Sequence, residues 1–418
     1  NAIDSSKEET NKPSLIIAKS TIGKFAPNKQ NTSSIHGAPL GNEEMKLFLN
    51  EIGWEGDPFD HSDDVYDYFA EKRLEDNKSF EKWKSNLDNK LNNDDSFKKL
   101  WEQFEKNELS FPESFEIQEA ATRVTGGNYL KLIGLENKFV LGGSADLSAS
   151  TKQIISEESY TSENRHGQNI EFGIREHSMA AVVNGISLHS NLFSFGSTFL
   201  VFSDYMRPSI RLASLMNLNS AFIFTHDSIY LGEDGPTHQP VEHLMSLRLI
   251  PGLDVIRPSN SVETIYAYKY LFSNTKNPKV LSLTRQNLKF LDYDVDYSDF
   301  LNGGFIISKG EDLTIFASGS EVNLALEIKE TLKEYSVQVV SVPILNKLTP
   351  KISESLNNNK FTFTIELGKA AGWSDYIGNI TESFSIQTFG KSAPEKDLAE
   401  FFKVNAESIG EKIRNYLS

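Results

Sequence analysis

The stretch LGEDGPTHQPVEH, residues 231–243, sets Glu233, Asp234 and His238 on a short run broken by Gly232, Gly235, Pro236 and Pro240. Glycine permits positive φ and proline fixes φ, so the chain here is held to a defined loop and the three polar side chains with it. A rigid surface turn with solvated acids is the plain alternative. A zinc or manganese site is a third reading, although no His-Glu-x-x-His pattern occurs and the spacing matches no recognisable ligand set. Just upstream, AFIF runs into THDS and places His226 and Asp227 where a strand would end. Arg123 and Arg285, cations in an acidic chain, could join Ser150 and His226 as a phosphate clamp, because the planar guanidinium fork suits a bidentate grip.

Two more groups invite chemistry. In NIEFGIREHSMAAVVNGISLH, Glu176 follows a glycine and opens a helix of small residues. An acid there answers the helix dipole, or, half buried, holds a proton against a heterocyclic nitrogen. In STFLVFSDY the spacing of Phe199, Phe202 and Tyr205 predicts three aromatics along one helix face. Such a stripe packs a core or forms a flat wall for a cofactor ring.

Elements must hold these residues in place. From about Phe115 to Asp292, short apolar runs alternate with small or polar loops: KFVLGGSADLS, NLFSFGSTF, NSAFIFTHDS and PKVLSLTRQNL. This texture predicts an α/β domain with a largely parallel sheet, whose ligands gather beyond the carboxyl ends of the strands. DLTIFASG, SEVNLALEIKETLKEY and VQVVSVPIL repeat it as a βαβ unit in a separate, smaller C-terminal α/β domain, 300–418. Residues 42–114 alternate charge with apolar residues at helical spacing and predict a helical linker. Ahead of them, KPSLIIAKSTIG predicts a short buried strand running into a loop.

The 418 residues are too many for one compact core. An apolar share of 39 % and a charged share of 24 % are those of an ordinary folded chain. The formal charge of −16 disfavours nucleic acid, and no stretch is long and apolar enough for a membrane span. The absence of cysteine rules out thiolate chemistry and fits a reducing, cytoplasmic location.

Taken together, HGAPLG, GGSADLS, FGIREHSMAAVVNGISLH, STFLVFSDY, THDSIYLGEDGPTHQPVEH, RPSN, TRQNL, ASGSEV and FGKSAP resemble the transketolase family, in family order over essentially the whole chain. The resemblance implies a thiamine-diphosphate enzyme of the pentose phosphate pathway that moves a two-carbon ketol group from a ketose phosphate to an aldose phosphate. It further implies a homodimer with the active site between subunits. By the same match Glu176 would bond the cofactor's aminopyrimidine N1′, Phe199, Phe202 and Tyr205 would surround the pyrimidine, and Asp146 would lie near the cofactor. His36, in HGAPLG, and His238 would reach the substrate hydroxyls and the reacting carbonyl, and Asp234 would read a donor hydroxyl. Arg123, Ser150, His226 and Arg285 would hold the substrate phosphate.

One departure is large. The family's diphosphate-binding domain holds Mg²⁺ and the diphosphate through a Gly-Asp-Gly motif, and no Gly-Asp-Gly occurs in the chain. The expectation is therefore a remnant of that third α/β domain at 1–41, the linker at 42–114, a pyrimidine-binding-type domain at 115–292 and the C-terminal domain. Most of the diphosphate-binding domain, with its Mg²⁺ or Ca²⁺ ligands, is expected to be lacking, the sequence being an incomplete part of a longer enzyme and inactive alone. A dihydroxyacetone-synthase-like thiamine enzyme and a non-catalytic assembly or regulatory subunit are the alternatives. Tyr230 stands where a glycine is expected, beside the sugar channel.

Overall fold

The computed structural model describes every residue except Pro58, Asp292 and Asp294. The expected domain boundary at Asp292 thus lies outside the described residues. The chain forms two compact units, Asn1–Asp94 and Asp95–Ser418.

The first unit carries α1 (Ala2–Glu8), a 3-10 turn at Ser33–Ile35, α2 (Asn42–Glu51) and α3 (Asp63–Asn93). Its loop closes on buried Glu44 of α2, which accepts hydrogen bonds from the Asn28 backbone N–H at 2.8 Å and from Asn28 Nδ2 at 3.0 Å. The strand expected in KPSLIIAKSTIG is absent: no strand forms in the segment, and Leu15 is 84 % and Ile17 76 % exposed. A strand is held by its neighbours' N–H and C=O groups, and none of the described residues of this unit forms one.

In the second unit α4 (Asp95–Lys106) leads to α5 (Thr122–Glu136), and a parallel sheet follows. Its strands are β1 (Val140–Ser144), β2 (Phe193–Phe199), β3 (Ala221–Thr225), β4 (Asp254–Ile256) and β5 (Lys279–Leu283), in the order β1-β2-β3-β5-β4. Every pair is parallel, with Gly142 opposite Phe195 and Phe222 opposite Val280. The central strands are buried on both faces, as crossover helices require. One face packs α5 and α10 (Ser261–Leu271) around Tyr129, Ile133 and Tyr268; the other packs α7 (Glu176–His189) and α8 (Ser203–Leu215) around Met179, Val183 and Ile210. Gly196 in β2 lets α7 approach, since a Cβ there would lie 2.8 Å from Met179 Cγ. The short helices α6 (Ser148–Thr151) and α9 (His243–Arg248) sit in the connections.

After α11 (Tyr297–Leu301) a second sheet runs β10-β9-β7-β8-β6. It comprises β6 (Phe305–Ser308), β7 (Leu313–Ala317), β8 (Val337–Ser341), β9 (Phe361–Glu366) and β10 (Glu382–Ser385). Only the edge strand β6 is antiparallel, with an irregular register between Ile306 and Ser308. The expected βαβ unit is β7, α12 (Glu321–Thr331) and β8, and α13 (Ala406–Leu417) packs on the same core. The fold is α/β with a parallel sheet followed by a smaller α/β domain.

Candidate active site

The chemistry gathers at the carboxyl ends of β1, β2, β3 and β5. β2 ends on Phe199, a 3-10 turn carries Phe202, and α8 begins two residues before Tyr205. The expected single helix face is thus corrected: strand, turn and helix each supply one ring. The rings nevertheless stack, Phe199 on Phe202 at 5.9 Å and 8°, and Phe202 on Tyr205 at 6.0 Å and 29°. Tyr205 is 62 % exposed, so the ladder ends open to solvent.

The two histidines close the other end. The His226 ring lies 3.8 Å from that of Phe199, and His238 stands edge-on to Phe202 at 5.7 Å. His226 has φ +60°, a region that a buried side chain enters only under constraint from its surroundings. Thr225 Oγ1 pairs with its Nδ1 at 2.8 Å, and Thr237 Oγ1 with His238 Nδ1 at 2.9 Å. Burial, with Arg123, Arg285 and His238 adding to it, depresses the His226 pKa to about 3. The ring is therefore neutral at physiological pH. A neutral ring offers one N–H donor and one acceptor nitrogen.

Beside them lies a cleft of about 340 Å³ lined by Arg123, Ser150, Lys152, His226, Asp234 and Arg285, among others. Arg123, at the start of α5, donates from Nη1 to the Ser150 carbonyl at 2.6 Å and from Nε to the Arg285 carbonyl at 3.4 Å. Its pKa is lowered by burial and by the neighbouring Arg285 charge. Two close guanidiniums and a neutral imidazole face the carboxylates of Glu233 and Asp234 across the cleft, and the planar forks suit a bidentate grip on an anion. Lys152 was missed in the sequence, though a cation two residues after Ser150 was a signal; it caps α6 at φ +65°.

Glu176 is the first residue of α7, half buried, with no hydrogen bond or ion pair to another described side chain. Asp146 follows β1, exposed, at φ +59°. His36 belongs to the first unit, exposed at the end of its 3-10 turn. The structure thus brings together the aromatic ladder, both loop histidines and the cationic cleft. Tyr230 turns away from that cleft: it packs with Ile229 and Val241, and its hydroxyl reaches the Val404 carbonyl at 3.5 Å.

A larger cleft, about 700 Å³, lies where β1 begins, lined by Lys138, Val140, Leu141 and Arg165 among others. That is the amino end of the strand, opposite the ligand side of a parallel sheet. Among the described residues one group could meet a metal, Asp204, Glu242 and His243. His243 Nε2 is already paired with Asp204 Oδ2 at 3.2 Å, and an imidazole is a poor partner for Mg²⁺, which prefers oxygen.

Comparison with known families matches the transketolase pyrimidine binding domain over 118–290 and the transketolase-like C-terminal domain over 303–405. The transketolase thiamine diphosphate binding domain matches over 1–109. That last match corrects an expectation. It runs through both the supposed remnant and nearly all of the supposed linker, so this domain is represented in the chain, though without Gly-Asp-Gly. A transketolase from Bacillus subtilis is 37 % identical over 445 residues, covering 99 % of the chain and 65 % of the relative. The structure of transketolase from Leishmania mexicana superposes with a TM-score of 0.90 at 30 % identity, over 99 % of this chain and 63 % of that one. A Pichia stipitis transketolase in complex with sedoheptulose 7-phosphate superposes at 0.89 with 30 % identity, over 98 % and 64 %. The chain spans just under two thirds of the length of these relatives, and within that span three consecutive domain matches and a shared fold show that it belongs to the transketolase family.

Proposed function

We propose that this chain carries the pyrimidine-facing and sugar-phosphate-facing parts of a transketolase, which transfers a two-carbon ketol group from a ketose phosphate to an aldose phosphate in pentose phosphate metabolism. The observation that carries this reading is the stacked ladder Phe199–Phe202–Tyr205 ending against two histidines, beside a cleft with two arginines. A flat, partly open aromatic surface fits a heterocyclic ring, and an unpartnered carboxylate at a helix start fits a ring nitrogen.

Thiamine diphosphate, when bound, supplies an electron sink for breaking and making the carbon–carbon bond. The residues of this chain would do the rest. Phe199, Phe202 and Tyr205 would orient the aminopyrimidine and exclude water from its face, with Asp146 nearby. Glu176 would hold a proton at the ring nitrogen N1′. His238 and His36 would donate to or accept from the sugar hydroxyls and the carbonyl oxygen, and Asp234 would bind a donor hydroxyl. Arg123, Arg285, Ser150 and the neutral His226 ring would hold the phosphate.

With the thiamine diphosphate binding domain matched only over 1–109, the reading carries the expectation that the chain works together with a complete diphosphate-binding domain. A homodimer goes with this reading. α7 leaves Ala181, Val182, Gly185 and Leu188 exposed, a small and apolar face that a second copy would cover. The lack of cysteine agrees with a cytoplasmic setting.

The test joins the chain to a complete diphosphate-binding domain and follows transfer from xylulose 5-phosphate to ribose 5-phosphate with thiamine diphosphate and Mg²⁺. Glu176→Ala is expected to lower the rate by about 100-fold or more; a rate near that of the parent would sink the assignment. Formaldehyde as a better acceptor than ribose 5-phosphate would point instead to a dihydroxyacetone synthase.

A further inference from the structure

Two sequence motifs, ASGSEV (317–322) and FGKSAP (389–394), contribute no residue to the cleft, yet each is hydrogen-bonded, directly or through Arg257, to a loop that does. Arg257, fully buried just after β4, donates from Nε to Asp227 Oδ2 at 2.8 Å, next in sequence to His226. The rest of its fork is taken by the C-terminal domain: Nη1 by the Ser318 carbonyl at 2.7 Å and by Glu321 Oε2, and Nη2 by Glu321 Oε1 at 3.1 Å. Gly319, at φ +62°, lets the fork pass, because a Cβ would come within 2.7 Å of Arg257 Nε. His226 sits at φ +60° one bond from this clamp. A buried non-glycine residue persists in that region only where the surroundings fix it.

The second motif grips the loop that carries Asp234 and His238. Gln239 Nε2 donates to the Lys391 carbonyl at 2.8 Å as well as to Ile229 and Gly232 carbonyls at 3.0 Å. Gly390 is needed there, since a Cβ would fall 1.7 Å from Gln239 Oε1. Ser392 Oγ donates to the carbonyl of Glu233.

We propose that the C-terminal domain positions the substrate-facing residues, Arg257 with Glu321 and Ser318 fixing His226 through Asp227, and Lys391 with Ser392 fixing His238 through the 232–239 loop. Arg257, Glu321 and Ser392 are positioning residues: none lines the cleft, and each acts through a loop that does. The consequence for sugar-phosphate binding rests on the transketolase reading; the positioning itself does not.

The experiment compares Ser392→Ala, Ser392→Thr and Arg257→Lys in the 418-residue chain. Ring ¹H–¹⁵N spectra of His226 and His238 and calorimetric binding of ribose 5-phosphate against ribose are the readouts. Ser392→Ala is expected to keep the thermal midpoint, to shift the His238 ring resonances and to weaken ribose 5-phosphate on the order of tenfold, with Ser392→Thr restoring both. Arg257→Lys, which keeps one charge and loses the fork, is expected to shift the His226 ring instead. Unchanged His238 resonances in folded Ser392→Ala overturn the proposal, even where Arg257→Lys does not fold. Failure of the parent chain to prefer ribose 5-phosphate over ribose would count against the transketolase reading alone, because the ring resonances decide the positioning without ligand.

Discussion

His226 shows how far a fold can move one residue's chemistry. Buried and faced by two arginines and His238, its folded pKa falls from 6.5 to about 3. Between those values the unfolded chain binds the proton and the folded chain does not, so the ring's contribution to stability is lost as pH falls from 6.5 toward 3. The expectation is a His226 ring that does not titrate between about pH 5 and 8, read by its ¹⁵N shifts. A midpoint close to the ordinary histidine value would mean that the ring is solvated and the cleft open. A neutral ring adds no charge to that of the two guanidiniums in the cleft.

At the scale of elements, the cleft depends on how closely α5 approaches the α6 cap. Gly127 of α5 faces the Lys152 carbonyl, and a Cβ would lie 2.3 Å from that oxygen. Helix propensity alone makes Gly→Ala stabilising by about 1 kcal/mol. Overpacking against an atom that cannot rotate away costs about 1–3 kcal/mol, so the contact wins. Gly127→Ala is expected to lower the denaturant midpoint and to displace Ser150 and Lys152 from Arg123. A raised midpoint would show that the α6 cap yields freely.

For the whole molecule, the exposed α7 face and a buried charge network define what must be covered and what must stay shut. Val182 is 44 % exposed on α7, beside Ala181 and Gly185. With a homodimer covering this face, Val182→Asp buries a charge without a partner, and sedimentation is expected to show single chains where the parent shows pairs. A parent that sediments as single chains at micromolar concentration would count against the dimer. Inside, the guanidinium of Arg248 meets Glu366 at 2.8 Å with Trp373 Nε1 on the same oxygen, close to the Arg257 cluster. These ion pairs are completely buried, so removing one member would strand its partner at a cost of about 3–5 kcal/mol.

Much of this was written in the order of residues. Apolar runs ending in small polar loops implied parallel strands, because a strand covered on both faces must be apolar throughout, and the loop after each run then had to carry the chemistry. The glycines and prolines of LGEDGPTHQPVEH implied a held loop for the same local reason. Sequence periodicity misread STFLVFSDY, since i, i+3 spacing also fits a strand, a turn and a helix start whose rings meet in space. It misread KPSLIIAKSTIG, because an apolar run becomes a strand only where neighbours supply hydrogen bonds. The strand order, the proximity of Arg123 to Arg285 and the grip of Ser318, Glu321 and Ser392 on distant loops are contacts between residues up to 162 positions apart. Local propensity carries no term for such distances; packing of two sheets and the cost of burying charge unpaired decided them.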